Sequence, residues 1–102
     1  MEGGTDGIRG GDLVLDIGDG FGALVIYTKP ELHGVEIEVS LKGVESPRTH
    51  TVIKERHLGD RVLFAGVFAE LSAGDYRIWT DDPRLPGVVS IVSGKVAEID
   101  WR

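Results

Sequence analysis

The strongest constraint on the fold is a hydrophobic period of two residues, which recurs along most of the chain. Its clearest instance is GVEIEVSLKG, residues 34–43, in which four apolar residues alternate with polar ones. This period is typical of a β-strand with one face in the core and the other in water. No stretch shows a convincing helical pattern, and the best candidate, Gly66 to Ser72, is too short for its pattern to decide.

The same reading predicts about eight short strands separated by turn residues. The predicted strands cover residues 12–17, 23–27, 35–41, 49–56, 61–68, 75–79, 88–92 and 96–101. Residues 23–27 are almost uniformly apolar, as in a strand covered on both faces. Asp19-Gly20 and Ser93-Gly94 are hairpin dipeptides, and Gly59-Asp60 suits a turn whose first central residue has positive φ. We therefore expect an all-β protein, an antiparallel Greek-key β-sandwich of about seven to eight strands.

Length and composition limit the organisation and location of the protein. A chain of 102 residues fits one domain. We expect a flexible N-terminal lead over residues 1–11, which hold five glycines and no apolar pattern, and a single domain over residues 12–102. The absence of cysteine excludes disulfides and thiolate metal sites. With no signal peptide and no apolar run of about 20 residues, the sequence predicts a cytoplasmic protein.

The formal charge of −6 disfavours non-specific binding to nucleic acid or to an anionic membrane. One glycine-rich segment still resembles a nucleotide site. LVLDIGDGFGALVIYT, residues 13–28, is similar to dinucleotide-binding turns and to the phosphate loops of sugar kinases and actin-like ATPases. A dinucleotide site needs a helix after the glycines, whereas ALVIYT is β-prone and Pro30 would interrupt a helix. The kinases need two large domains, so we expect a glycine-rich hairpin and no cofactor.

The segment FAELSAGDYRIW, residues 68–79, resembles the tyrosine corner of a Greek-key sandwich, in which a buried tyrosine bonds back to nearby backbone. VSIVSGKVAEIDW, residues 89–101, extends the likeness. Together, residues 61–101 resemble the transthyretin-like and carboxypeptidase-regulatory-like modules. That resemblance implies a role in folding support, adhesion or binding, since few members of these families are enzymes. The whole chain is also similar to small uncharacterised actinobacterial proteins, some labelled phospholipase, but it has no G-x-S-x-G elbow.

Residues that could carry catalysis or bind metal lack the required spacing. The three histidines, His33, His50 and His57, show no metal-binding spacing. The serines lie in strand or turn contexts without a nucleophile elbow. The carboxylate pairs Asp16 with Asp19 and Asp81 with Asp82 are read as turn residues, because neither offers a dense calcium loop. We therefore expect no catalytic or metal site and a protein that is not an enzyme.

Charge singles out one candidate interaction surface. Residues 42–61 carry a net charge of +2, which leaves −8 on the rest of the chain. The candidate residues are Arg48, His50, Lys54, Arg56, His57 and Arg61. They form a basic edge, which either protects an edge strand from unwanted pairing or docks an acidic partner or a second copy.

Three aromatic residues at strand ends provide a second candidate site. Tyr27, Trp79 and Trp101 either form an exposed platform for stacking a carbohydrate or close the core, and the pattern favours the core. We expect a non-catalytic binding module whose partner is another protein or a second copy of itself. A carbohydrate-binding accessory module is the first alternative, and a lipid or ester hydrolase is the second.

Overall fold

The computed structural model describes residues 7–10, 13–16, 19–80 and 87–102. Within these ranges, a single turn of 3-10 helix, Pro30–Leu32, is the only helical structure, and it has neither the length nor the apolar character needed to cross a bilayer. The strands in chain order are β1 (Gly7–Gly10), β2 (Leu13–Asp16), β3 (Phe21–Thr28), β4 (Glu36–Leu41), β5 (Thr49–Val52), β6 (Lys54–Leu58), β7 (Arg61–Ser72), β8 (Gly74–Trp79), β9 (Val88–Ile91) and β10 (Val96–Trp101).

Eight of these strands form two four-stranded sheets that pack face to face, so the predicted all-β sandwich is confirmed. The first sheet has the order β10-β3-β7-β6 and the second the order β5-β4-β8-β9, while β1 and β2 pair separately. Neighbouring strands run antiparallel, with the single exception of β10, which lies parallel to β3. The exception arises because the chain crosses from the second sheet to the first after β9, instead of turning back along its neighbour.

The core lies between the two sheets and draws on both. Leu24, Ile26 and Phe68 contribute from the first sheet, and Val39 and Ile78 from the second. All five side chains are buried. The alternation predicted for residues 35–41 holds at its centre, where Ile37 and Val39 face this core and Glu38 between them faces away. It is wrong at the ends of the segment, because Val35 and Leu41 are 40% and 44% exposed and Ser40 is buried.

The first sheet is also buried on its outer face, around β3. Because Leu24 and Ile26 point into the core, Val25 and Tyr27 point outward. Both are nevertheless buried, with Ala65 of β7, in a second apolar cluster. The prediction that residues 23–27 form a strand covered on both faces is confirmed. β1 also contacts β10, the strand next to β3.

The strand predicted over residues 49–56 is two strands in the structure. The chain leaves the second sheet after β5 and enters the first sheet at β6, with Ile53 fully buried at the crossing. The Ile53 amide donates to the Val35 carbonyl at 2.9 Å, and the Ile53 carbonyl accepts from the Gly34 amide at 2.8 Å. The sequence pattern stays strand-like through Ile53, so it could not indicate that the chain changes sheets there.

The turn residues predicted the positions of these turns correctly, but they did not always predict whether the strands on either side pair with each other. Gly59-Asp60 closes the β6–β7 hairpin, and Gly59 has the expected positive φ of 62°. Asp19-Gly20 and Ser93-Gly94 are also turns, yet the strands on either side of each lie in different sheets. The hairpin prediction is therefore wrong at these two turns, because a turn dipeptide reverses the chain without choosing its pairing partner.

Two other predicted regions lie partly or wholly outside the described residues. Residues 7–10 of the predicted lead form β1, whereas residues 1–6 and 11 lie outside the described ranges. The Asp81-Asp82 pair also lies outside them. The weak helix candidate, Gly66 to Ser72, is the second half of the long strand β7.

The predicted tyrosine corner is present between β7 and β8. The Tyr76 hydroxyl donates to the Ser72 carbonyl at 2.8 Å, and the side chain is 6% exposed. We expect Tyr76→Phe to lower the free energy of unfolding by about 1 kcal/mol, the net worth of one buried hydrogen bond. Urea denaturation measures this loss as a lower midpoint at an unchanged slope. An unchanged midpoint would mean that this hydrogen bond adds nothing to the corner.

Candidate functional site

The predicted basic edge lies along one side of the sandwich. Its residues belong to or flank β5 and β6, which are the outermost strands of the second and first sheets and are joined at Ile53. Strands β5 and β6 therefore each form an edge of one sheet, whereas Arg61 begins β7, an inner strand of the first sheet.

Most side chains of the basic edge interact with groups of the same chain. Arg48 Nη1 lies 3.2 Å from Glu38 Oε1, and His57 Nε2 lies 2.5 Å from Glu55 Oε2. His50 Nε2 is 3.9 Å from Glu36 Oε2, at the limit of an ion pair. Since these side chains are all substantially exposed, each pair contributes little stability. The carboxylates nevertheless reduce the positive charge that an acidic partner would meet.

Arg56 is held more deeply than the other cations of the edge. Its Nε donates to the Ala65 carbonyl at 3.2 Å, across the β6–β7 pair. Partial burial lowers the pKa of Arg56 from its ordinary value, although arginine stays charged at physiological pH. Arg56 therefore acts as part of the sheet, since its guanidinium is committed to backbone.

The prediction that Trp79 closes the core is wrong, because Tyr76 and Ile78 take the inward positions of β8 and Trp79 lies on the outer face of the second sheet, where charged neighbours cover it. The guanidinium carbons of Arg48 and Arg77 lie 3.6 and 3.8 Å from the centre of its ring. The indole Nε1 donates to Ser40 Oγ at 2.9 Å. Cation–π contacts and this hydrogen bond fix the ring in place, and a sugar could stack on it only where the guanidiniums move away.

Tyr27 and Trp101 are buried, at 8% and 9% exposed, so both close the protein interior as the favoured interpretation expects. Trp101 belongs to the main core. Tyr27 belongs to the outer apolar cluster, and its hydroxyl donates to Glu98 Oε2 at 2.5 Å. Burial and the neighbouring Glu98 carboxylate raise the pKa of Tyr27 to about 12.

This shift in pKa predicts an alkaline loss of stability. The unfolded chain releases the Tyr27 proton near pH 10, whereas the folded protein keeps it until about pH 12. Stability from Tyr27 is therefore fully present below pH 10 and lost as the pH rises toward 12. We expect the free energy of unfolding to fall more between pH 9 and 11.5 for the wild type than for Tyr27→Phe. Urea titrations at both pH values measure this, and equal losses would contradict the assignment.

The side chains that could support catalysis are engaged in structural contacts. Ser90 Oγ donates to Asp75 Oδ1 at 2.7 Å, and Ser93 Oγ accepts from the Gly20 amide at 2.9 Å. His33 packs edge-on against Phe64, with ring centres 5.8 Å apart. Within the part of the chain that the structure describes, no group of three or more histidine or carboxylate side chains could hold a metal ion.

A shallow cleft of about 300 Å³ lies where β3 ends. Its lining is mainly apolar, and the one hydroxyl there, Thr28 Oγ1, donates to the Lys29 carbonyl at 3.0 Å. The lining residues are Thr28, Lys29, Pro30, Val62, Leu63, Phe64 and Arg102. The Thr28 hydroxyl therefore commits its proton to backbone.

The second sheet has an exposed edge at its other end, which was not predicted from the sequence. Strand β9 is the outermost strand there, opposite β5. The segment around it, GVVSIVSG, residues 87–94, contains no charged residue and no proline. Val88 and Val92 are 43% and 51% exposed. This run of uncharged residues can be seen in the sequence, but only the sheet order shows that it forms an edge.

The hydrogen-bond pattern identifies the backbone groups that β9 presents outward. The Ile78 amide donates to the Gly87 carbonyl at 3.0 Å, so this pair is hydrogen-bonded in the β8–β9 ladder. Because bonded and non-bonded pairs alternate, Val89 and Ile91 also bond to β8. The N–H and C=O groups of Val88 and Ser90 therefore point away from the sheet.

No protein-family model, curated protein or solved structure matches this chain.

Proposed function

We propose that this protein is a non-catalytic interaction module that binds a protein strand along the open edge of β9. The observation that carries the proposal is the uncharged, exposed segment at residues 87–94. An added strand would bond to the outward backbone groups of Val88 and Ser90, as in β-strand addition.

A comparison of the sheet edges supports this choice. Folded proteins protect edge strands with charged side chains, because unpaired backbone groups invite other strands. β6 carries Lys54, Glu55 and Arg56, and β10 carries Glu98 and Asp100. β5 is flanked by Arg48 and Lys54. β9 has no such protection, so it is the edge at which pairing meets no charged side chain.

The basic edge has a simpler explanation. Its residues lie on or beside two edge strands, and Arg48, His50 and His57 contact Glu38, Glu36 and Glu55, while Arg56 bonds to backbone. We therefore assign it to protection against unwanted pairing. The Greek-key topology, the transthyretin-like resemblance of residues 61–101 and the cytoplasmic location stay predictions.

Proline at position 90 tests the proposed function. The Ser90 amide faces away from β8, so Ser90→Pro removes an outward donor and leaves the β8–β9 hydrogen bonds in place. Ser90→Ala is the matched control, because it removes only the hydroxyl that donates to Asp75. The probe is a phage library of random peptides selected on the wild-type protein.

We expect selection to enrich extended peptides rich in β-branched residues. Their binding should be lost with Ser90→Pro and kept with Ser90→Ala, and amide NMR shifts should centre on residues 87–92. Peptides that bind Ser90→Pro as tightly as the wild type would contradict binding at this edge, as would a selection that yields no binder.

A further inference from the structure

We infer that the strand added to β9 comes from a second copy of this chain. Two β9 strands would pair antiparallel about a twofold axis and join the two second sheets into one continuous sheet. This inference rests on the proposed function, since it names the partner at the same edge. It follows from the geometry and composition of β9 itself.

The outward groups of β9 are complementary to themselves in one register. A twofold axis at Val89 places Val88 of one copy opposite Ser90 of the other. Each copy offers two outward N–H and two outward C=O groups, from Val88 and Ser90. In this register every one of them meets a partner, because directly opposed residues exchange both hydrogen bonds.

The neighbouring registers satisfy fewer groups. An axis at Ser90 would place Val88 opposite Val92, whose carbonyl already accepts from the Lys95 amide at 3.1 Å in the turn that follows β9. An axis at Val88 would place Ser90 opposite Pro86, which has no N–H to donate. The register centred on Val89 is therefore the one that the chain can complete.

The side chains also suit an identical partner. In a twofold interface a charged residue near the axis would lie opposite the same residue of the other copy or opposite one of its near neighbours. Like charges directly opposite one another destabilise a strand pair. β9 avoids this, although each copy carries a net charge of −6. Val88, 43% exposed on the outer face, would lie beside Ser90 of the other copy, and the two Val89 residues would meet across the axis.

A single cysteine tests the register directly, because the natural chain has none. The two residues at position 89 would form a non-hydrogen-bonded pair with Cα atoms about 4.5 Å apart, within the range of a disulfide. We expect Val89→Cys to form a disulfide-linked dimer on oxidation with diamide. Val62→Cys is the control, since Val62 is 51% exposed on β7 of the first sheet and should stay mainly monomeric. Equal cross-linking of the two variants would overturn the inference.

Sedimentation of cysteine-free protein gives an independent test that does not depend on how Val89→Cys folds. A four-residue strand makes a small interface, so we expect a reversible dimer with a dissociation constant on the order of 100 μM. Ser90→Pro removes one donor from each copy and should weaken association at least about tenfold, while Ser90→Ala should not. A dimer unaffected by Ser90→Pro would overturn the inference. So would a wild-type monomer at 1 mM, roughly ten times that constant, and peptide binding lost with Ser90→Pro would then still support the proposed function.

Discussion

Val25→Asp is expected to destabilise the protein severely, although Val25 lies on the outer face of a sheet. Val25 is fully buried and packs with Tyr27 and Ala65. A carboxylate there would lose water without gaining a partner, at a cost of about 4 kcal/mol or more. Small domains have only about 5–15 kcal/mol of total stability. Thermal unfolding followed by circular dichroism, together with the soluble yield, measures the effect.

Val62→Asp is the matched control for this substitution. Val62 is 51% exposed on β7, in the same sheet, so a carboxylate there stays hydrated. We expect a change within about 0.5 kcal/mol. If Val25→Asp were as mild as Val62→Asp, the outer face of β3 would be open to water, and the sandwich would be an ordinary two-layer structure.

Gly22→Ala should cost about 3 kcal/mol, because there is no space for a side chain at this position. A Cβ atom on Gly22 would lie 2.6 Å from the Val92 carbonyl oxygen and 3.0 Å from that of Lys95. Both are backbone atoms in the crossing from β9 to β10, so neither can rotate away and the strands must separate. Chemical denaturation gives the loss as a lower midpoint.

Substitutions at two other glycines distinguish this packing effect from the effect of backbone conformation. Gly87→Ala should be nearly neutral, since a Cβ there meets no atom of the described residues within 4 Å. Gly20→Ala also has space, but its φ of +81° is unfavourable for alanine, so we expect a loss of about 1 kcal/mol. Equal costs at positions 22 and 87 would contradict the close contact between β3 and the crossing.

Local patterns predicted the features of this fold that depend on neighbouring residues. The alternation in residues 35–41 predicted β4 and the burial of Ile37 and Val39, and FAELSAGDYRIW predicted the corner at Tyr76. The uniform apolar run at 23–27 gave a strand buried on both faces. Each of these signals lies within about a dozen residues, where side-chain periodicity and turn chemistry operate.

Features set by distant parts of the chain could not be predicted in this way. Nothing near Ile53 indicates that the chain changes sheets there, and nothing near Trp79 indicates that Arg48 covers its ring. That β9 is an open edge follows from the sheet order. The uncharged residues of β9 could therefore not be identified as an exposed edge from the sequence alone. The candidate site was therefore missed, while the residues that form it were assigned correctly to a strand.

The parallel pairing of β10 with β3 has a consequence for synthesis of the protein on the ribosome. β3 lies between β7 and β10, so its two partners are made long after it, and one is made last. A nascent chain that stops before Val96 leaves one side of β3 without a neighbour and exposes part of the surface over Leu24 and Ile26. Pairings between distant segments also form slowly. We therefore expect the first sheet to complete its hydrogen bonding only after β10 has left the exit tunnel.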